Sequence, residues 1–91
     1  MNIIVIGIGK VGYTVAEQLA QENHDVTIID TNEDVINDTL QDIDVIGVIG
    51  SGAVSKTLIG AGVDECDILI ALTGSDELNI LACLLAKKHG A

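Results

Sequence analysis

Four short apolar runs divide the chain, and each is followed by a turn and then by residues at helical spacing. The first run, residues 3–6, is β-branched without a polar break, which is typical of a strand buried on both faces of a parallel sheet. Similar runs occur at residues 26–30, 44–49 and 67–72. The pattern therefore predicts four strands, each followed by a helix.

Helical spacing is clearest after the first and last strands. In the first helix, one predicted row contains Val11, Val15 and Leu19, and a second row of small residues contains Gly12, Ala16 and Ala20. We predict a second helix over residues 35–43 and a short third helix over about residues 54–60, with Val54 and Leu58 facing inward. The polar segment 73–77 is expected to open the last helix, with Thr73 or Ser75 as its cap and Asp76 and Glu77 at its positive end.

The alternation of strands and helices fixes the expected fold class. Parallel strands are connected by right-handed crossovers, which place helices on both faces of the sheet. We therefore predict an α/β, doubly wound parallel sheet in strand order 3-2-1-4, formed by residues 1–91 as a single domain. The loops after all four strands open onto the carboxyl edge of such a sheet, where they converge on one cleft.

Three glycines, Gly7, Gly9 and Gly12, follow the first strand at the spacing G-x-G-x-x-G. In a strand–turn–helix context, the first allows a tight turn, the second lets a pyrophosphate approach the backbone, and the third permits close helix packing. The free N–H groups at the start of the next helix also favour an anion. The arrangement predicts a Rossmann-like dinucleotide site, with a glycine turn that binds nothing as the alternative.

Asp30 ends the second strand about twenty residues after the glycine turn, where dinucleotide folds place the carboxylate that binds ribose hydroxyls. The alternative is that Asp30 only caps the next helix, but Thr31 and Asp34 have the spacing of a capping box for that task. A 2′-phosphate favours a nearby Arg, and the chain has none. We therefore predict NAD(H) rather than NADP(H), and ATP or ADP remain open because their adenosine moiety makes the same contacts.

Residues beside these motifs and in the later loops complete the candidate site. Beyond the three glycines and Asp30, it comprises Ile8, Lys10, Val11, Thr31, Gly50, Ser51, Gly52, Ala53, Leu72, Thr73, Gly74 and Asp76. Apart from Lys10, which we interpret as a positive charge for phosphates, none of the general acids and bases His, Lys, Cys and Tyr is expected at this edge. We thus predict a binding module rather than an enzyme, with no catalytic residue.

Charge and cysteine content narrow the possible partners. The net charge is −10, with four lysines and no arginine, so nucleic acid and anionic membrane surfaces are not expected as partners. The aligned carboxylates Asp34, Asp38 and Asp42 lack the spacing of a cation-binding loop and are interpreted as a solvated face, so no metal is predicted. Cys66 and Cys83 are expected to be reduced core thiols of a cytosolic protein. The first strand leaves no room for a targeting segment, and no membrane span is predicted.

The last helix is apolar on two sides. One stripe, expected to cover the sheet, contains Leu78, Leu81, Ala82, Leu85 and Ala86, and the opposite side carries Ile80, Cys83 and Leu84. A helix that is apolar all round is normally buried. The second side is expected to be covered by a further part of the domain or by another subunit, and both alternatives predict that this chain self-associates, most simply as a dimer.

The combined motifs resemble the N-terminal, NAD-binding TrkA-N domain of Trk/Ktr potassium-uptake regulatory subunits, a fold also called RCK or KTN. The resemblance rests on I-I-V-I-G-I-G-K-V-G from Ile3, T-I-I-D from Thr27, G-S-G-A from Gly50, L-I-G-A-G-V from Leu58 and A-L-T-G-S-D-E-L-N from Ala71. The last two segments distinguish the family from ordinary dehydrogenases.

This resemblance implies a cytoplasmic domain at the inner face of the membrane, where binding of NAD(H), ATP or ADP gates potassium flux through a membrane transporter subunit. It also implies assembly into a dimer or ring and a longer protein, of which this chain is the N-terminal part. Many family members have Asp or Asn at the position of Ser51, which leaves the ligand preference open. The cofactor-binding part of an NAD-dependent dehydrogenase is the alternative function.

Overall fold

The computed structural model describes all 91 residues and contains four strands and four α-helices in alternation, as predicted. In chain order the elements are β1 (Asn2–Ile6), α1 (Lys10–Gln21), β2 (Asp25–Asp30), α2 (Glu33–Asp42), β3 (Ile46–Ile49), α3 (Ser55–Gly60), β4 (Ile68–Ala71) and α4 (Asp76–Lys88). A short 3₁₀ turn, Val63–Glu65, joins α3 to β4 and was not predicted. None of the helices combines the length and apolar character needed to cross a bilayer.

The four strands form one parallel sheet in the order β3-β2-β1-β4, which confirms the predicted fold class and strand order. β1 lies between β2 and β4, with Ile6 opposite Ile29 on one side and Ala71 on the other. The carboxyl ends of the strands therefore meet at one edge. The order in which successive strands are added reverses between β1 and β4, as expected for a doubly wound fold.

Alternate residues of the central strands supply two apolar layers, one on each face of the sheet. On one face, Ile3 and Val5 pack with Ala16 of α1 and Ile36 of α2. On the opposite face, an equivalent layer is assembled from the central strands, from α3 and α4, and from the segment 63–66 between α3 and β4: Ile4, Ile6, Ile29, Leu58, Val63, Cys66, Ala82 and Ala86. The sheet is thus covered on both faces, and its carboxyl edge is left for the loops.

Two predicted inward positions are wrong, since Val54 is 48% exposed and Leu81 is 46% exposed. In α1 the small row is the buried one, with Gly12 and Ala16 buried, whereas Val11 is 62% exposed. Val54 precedes the first residue of α3 in extended conformation, so it does not share the buried face of that helix.

The predicted capping box at the start of α2 is also wrong. Asn32 is the N-cap, and its side-chain oxygen accepts a hydrogen bond from the Val35 N–H at 3.2 Å. Thr31 is exposed and lies one residue too early to cap this helix. At α4, Ser75 is the cap, since its hydroxyl accepts from the Leu78 N–H at 3.2 Å.

The two cysteines differ in environment. Cys66 is buried, and its thiol donates to the Ile68 carbonyl at 2.9 Å. Burial raises the pKa of the Cys66 thiol, which therefore remains protonated at neutral pH. Cys83 is exposed on α4, so the prediction that it is a core residue is wrong. Both thiols are free.

Candidate functional site

The loops after all four strands converge on a single cleft of about 240 Å³ at the carboxyl edge of the sheet. Its lining consists of Ile6, Gly7, Gly9, Ile29, Asp30, Thr31, Gly50, Ser51, Gly52, Leu72, Thr73, Gly74 and Leu78. Ten of the sixteen residues predicted for the site are in this set. The predicted convergence of the loops is therefore present in the fold.

The three glycines of the turn meet different surroundings. Gly7 has a φ of 90°, and a Cβ on it would lie 2.8 Å from the Thr73 nitrogen, so the turn packs directly on the loop after β4. A Cβ on Gly12 would overlap the Gly7 carbonyl oxygen. Gly12 therefore allows α1 to contact the turn itself, more locally than the predicted contact with the sheet. Gly9 alone has open space where a Cβ would stand, which leaves its backbone accessible to a ligand.

The start of α1 has unused hydrogen-bond donors. Gly9 is the N-cap, has no side chain to cap the helix, and is followed by no acidic residue in the first turn. The N–H groups of residues 9–12 make no hydrogen bond within the chain. By contrast, α2 and α4 have side-chain caps and two acidic residues each in their first turns. Of these three helices, α1 alone begins in a way that suits an anionic group.

The Asp30 carboxylate connects the glycine turn to the loop after β2 through hydrogen bonds. One carboxylate oxygen accepts from the Ile8 N–H at 2.8 Å, and the other accepts from the Asn32 N–H at 2.9 Å. Asp30 is not the cap of α2, because Asn32 has that role. Each carboxylate oxygen has a second lone pair, and Asp30 lines the cleft, so the carboxylate retains acceptor capacity for a ligand hydroxyl.

The loop after β4 closes the opposite side of the cleft. The Thr73 N–H donates to the side-chain oxygen of Asn79 at 2.9 Å, and the Asn79 amide donates back to the Thr73 carbonyl at 3.1 Å. No site role was predicted for Asn79. The sequence feature that could have indicated such a role is a single amide side chain between the apolar residues Leu78 and Ile80 in the last helix. Ile6, Ile29 and Leu78 were also missed as lining residues, since their apolar character indicated only core.

A family model described as the TrkA-N domain matches residues 3–91 of this chain. This chain belongs to the TrkA-N domain family. The resemblance found in its motifs is thereby confirmed.

Relatives of this TrkA-N domain carry the name Trk system potassium uptake protein TrkA or its homolog. The chain is 42% identical to the Halomonas elongata protein over 86 residues, 94% of this chain and 19% of that protein. It is 45% identical to the Archaeoglobus fulgidus homolog over 92 residues, all of this chain and 20% of that protein. The Methanothermobacter thermautotrophicus homolog is 35% identical over 98% of this chain. The chain thus spans about a fifth of the first two relatives and 41% of the third.

Among solved structures, the Kef CTD of Shewanella denitrificans in its AMP-bound form has a similar fold. It superposes with a TM-score of 0.81 at 22% sequence identity, and the match covers 98% of this chain and 53% of that chain. At this identity the likeness establishes the shared fold.

Six predicted site residues of this TrkA-N domain do not line the cleft. Ile8 is buried, and its N–H is bound to Asp30. Ala53 donates its N–H to the Ser51 hydroxyl at 3.1 Å. Gly12 is buried beneath the turn, and the remaining three are exposed outside the cleft: Lys10, Val11 and Asp76.

Lys10 borders a separate groove between α1 and α2, together with Tyr13 and Asp42. The Tyr13 hydroxyl donates to an Asp42 carboxylate oxygen at 3.4 Å. Desolvation, followed by the negative charges of Asp42 and Glu17, raises the pKa of the Tyr13 phenol. The phenol therefore remains protonated at neutral pH and links the two helices as a donor.

Proposed function

We propose that this chain is the nucleotide-binding regulatory domain of a potassium-uptake system and that its ligand is NAD(H). One observation carries the proposal. The open backbone of Gly9 and the uncapped start of α1 share a cleft with the carboxylate of Asp30. Those three features suit, respectively, close approach of a pyrophosphate, hydrogen bonding to its oxygens, and hydrogen bonding to a ribose.

The charge of Asp30 favours a free ribose 2′-hydroxyl over a 2′-phosphate. A phosphate there would meet a carboxylate, and the chain has no Arg to compensate. The Kef neighbour of similar fold is an AMP-bound form, which supports proposing a ligand that contains an adenosine group. ATP and ADP share that group with NAD(H) and are the competing ligands. Titration calorimetry with NADH, NADPH, ATP and ADP tests this preference, and we expect NADH to bind most tightly. Tighter binding of NADPH than of NADH would contradict the proposal.

The regulatory role rests on the relatives, which are named potassium uptake proteins. We propose that the intact protein acts in the cytoplasm, at the inner face of the membrane, through a membrane potassium-transporter subunit. A binding role rather than catalysis is supported by the cleft lining, which contains none of the general acids and bases His, Lys, Cys and Tyr. In this proposal, ligand binding in the cleft gates the potassium flux of the partner.

Replacing Asp30 with alanine is expected to weaken NADH binding about ten- to a hundredfold, because a charge-assisted hydrogen bond to the ribose contributes roughly 1.5–3 kcal/mol. Calorimetry of Asp30→Ala against wild type measures the change. Asp34→Ala is the matched control, since it removes the same charge from an exposed position outside the cleft. Equal NADH affinity in Asp30→Ala and Asp34→Ala would rule out the ribose contact.

Self-association through α4 is the second part of the proposal. Ile80 is 63% exposed and Leu84 is 61% exposed, and residues 78–86 carry no charge. The rest of the chain carries the whole net charge of −10, and repulsion between these charges opposes contact between two copies at other surfaces. The uncharged face of α4 is therefore the surface best suited to pack against a second copy, most simply around a two-fold axis.

We expect sedimentation to give a dimer or larger species for wild type and a folded monomer for the double variant Ile80→Lys, Leu84→Lys. Two lysines facing each other across the contact would have to be desolvated without partners. The control Ile46→Lys, Ile59→Lys adds the same charge at two other exposed apolar positions and should remain dimeric. A monomeric wild type at high micromolar concentration would contradict this assembly.

A further inference from the structure

Asn79 binds every polar group of one residue in the cleft wall. Its side-chain oxygen accepts from both the Thr73 N–H at 2.9 Å and the Thr73 hydroxyl at 2.6 Å, and its amide donates to the Thr73 carbonyl at 3.1 Å. The bonds tie the loop after β4 to the first turn of α4. The position of Thr73 in the cleft thus depends on a side chain that does not itself line the cleft.

The loop held in this way has two contacts with the rest of the site. The Thr73 backbone lies against Gly7, where a Cβ would come within 2.8 Å of the Thr73 nitrogen. The next residue, Gly74, also lines the cleft, and its N–H makes no hydrogen bond within the chain. Because Asn79 has already bound the Thr73 N–H, the Gly74 N–H is the backbone donor that this loop retains for a ligand.

The sheet order separates this loop from the adenosine side of the proposed site. Asp30 and Ser51 follow β2 and β3 on one side of β1, whereas Thr73 and Gly74 follow β4 on the other. A mononucleotide with its ribose at Asp30 and its phosphate at the start of α1 is accommodated on the first side. A dinucleotide continues past the pyrophosphate and must meet the loop after β4.

We infer that Asn79 is a positioning residue that fixes the Thr73–Gly74 loop for the second half of a dinucleotide, and so makes the cleft select dinucleotides over mononucleotides. The inference rests on the proposed nucleotide-binding function. Asn79 acts through Thr73 and Gly74 and does not contact the adenosine side. Removing the Asn79 side chain should therefore weaken dinucleotide binding and leave mononucleotide binding nearly unchanged. A general weakening of the domain would reduce both affinities.

The test compares NADH with AMP by calorimetry on wild type and on Asn79→Ala. We expect the NADH dissociation constant to rise about tenfold in the variant, corresponding to the loss of one or two neutral hydrogen bonds. The AMP dissociation constant should change by less than about twofold, since the Asn79 side chain bonds to Thr73 alone and the Asp30 carboxylate holds the glycine turn separately, through the Ile8 N–H. If Asn79→Ala does not fold, Asn79→Gln replaces it, because the longer side chain keeps both polar groups but displaces them from Thr73.

Ser75→Ala is the matched control. It removes the cap of the same helix, the bond from the Leu78 N–H, and leaves the backbone bonds of Thr73 to Asn79 in place. It should lower the melting temperature without changing the ratio of the NADH and AMP dissociation constants. Parallel losses for NADH and AMP in the Asn79 variant, or an unchanged NADH affinity, would overturn the role of Asn79. A wild-type chain that binds neither ligand would instead contradict the proposed function on which the inference rests.

Discussion

We expect Gly12→Ala to lower the free energy of unfolding by about 3 kcal/mol or more, at the upper end of the effects of overpacking. The added Cβ would overlap the Gly7 carbonyl oxygen, which is backbone and cannot rotate away as a side-chain end does. Relief requires α1 to move off the turn, and Gly12 and Ala16 are the residues that α1 buries. Urea denaturation of the variant against wild type measures the loss.

Gly60→Ala is the matched control for that experiment. Gly60 is the last residue of α3, and a Cβ there meets open space. Alanine in a helix is favoured over glycine, so this variant should be more stable than wild type by about 0.5–1 kcal/mol. If Gly12→Ala unfolded at the same urea concentration as Gly60→Ala, the close contact between α1 and the glycine turn would be refuted.

The second large effect is on binding. We expect Gly9→Val to weaken NADH binding at least about a hundredfold while the domain remains folded. A Cβ at Gly9 meets no protein atom, and Gly9 has a φ of −81°, which valine adopts without strain. The branched side chain would occupy the space in which the pyrophosphate is expected.

Thermal unfolding reports both parts of this result. NADH raises the melting temperature of a chain that binds it in the folded state, and this increase should disappear in Gly9→Val. Gly9→Ala is the control for side-chain size, and it should retain part of the increase because its methyl group fills less of the space. A Gly9→Val variant that NADH stabilises as much as wild type would place the phosphates elsewhere.

The strand order and the cleft could be predicted from sequence because general rules determine them. The uninterrupted β-branched run of β1, the spacing of Gly7, Gly9 and Gly12, and the handedness of the crossovers favour the doubly wound order typical of dinucleotide-binding folds. Asp30 was predicted to lie at the end of β2 for the same reason. Such features depend on residue type and order along the chain, which the sequence contains directly.

The errors concern features that depend on contacts between distant segments. Gly12 was expected to let α1 lie close to the sheet, but its close contact is with the Gly7 carbonyl of the turn, which residue spacing does not reveal. Thr31 had the correct residue type for a cap, but the hydrogen bond from the Asn32 N–H to Asp30 accompanies a helix start one residue later. Likewise, Asn79 acquires its role only because α4 begins beside Thr73.

The hydrogen bonds made by Asp30 and Asn79 affect both the rate of ligand association and the entropy change of binding. The glycine turn is already held by the Asp30 carboxylate, and Thr73 is already held by Asn79. A preorganised cleft of this kind orders few protein groups on binding, so most of the conformational entropy loss falls on the flexible nucleotide. Association then requires no slow rearrangement of the loops, and differences in affinity among nucleotides appear mainly in their dissociation rates.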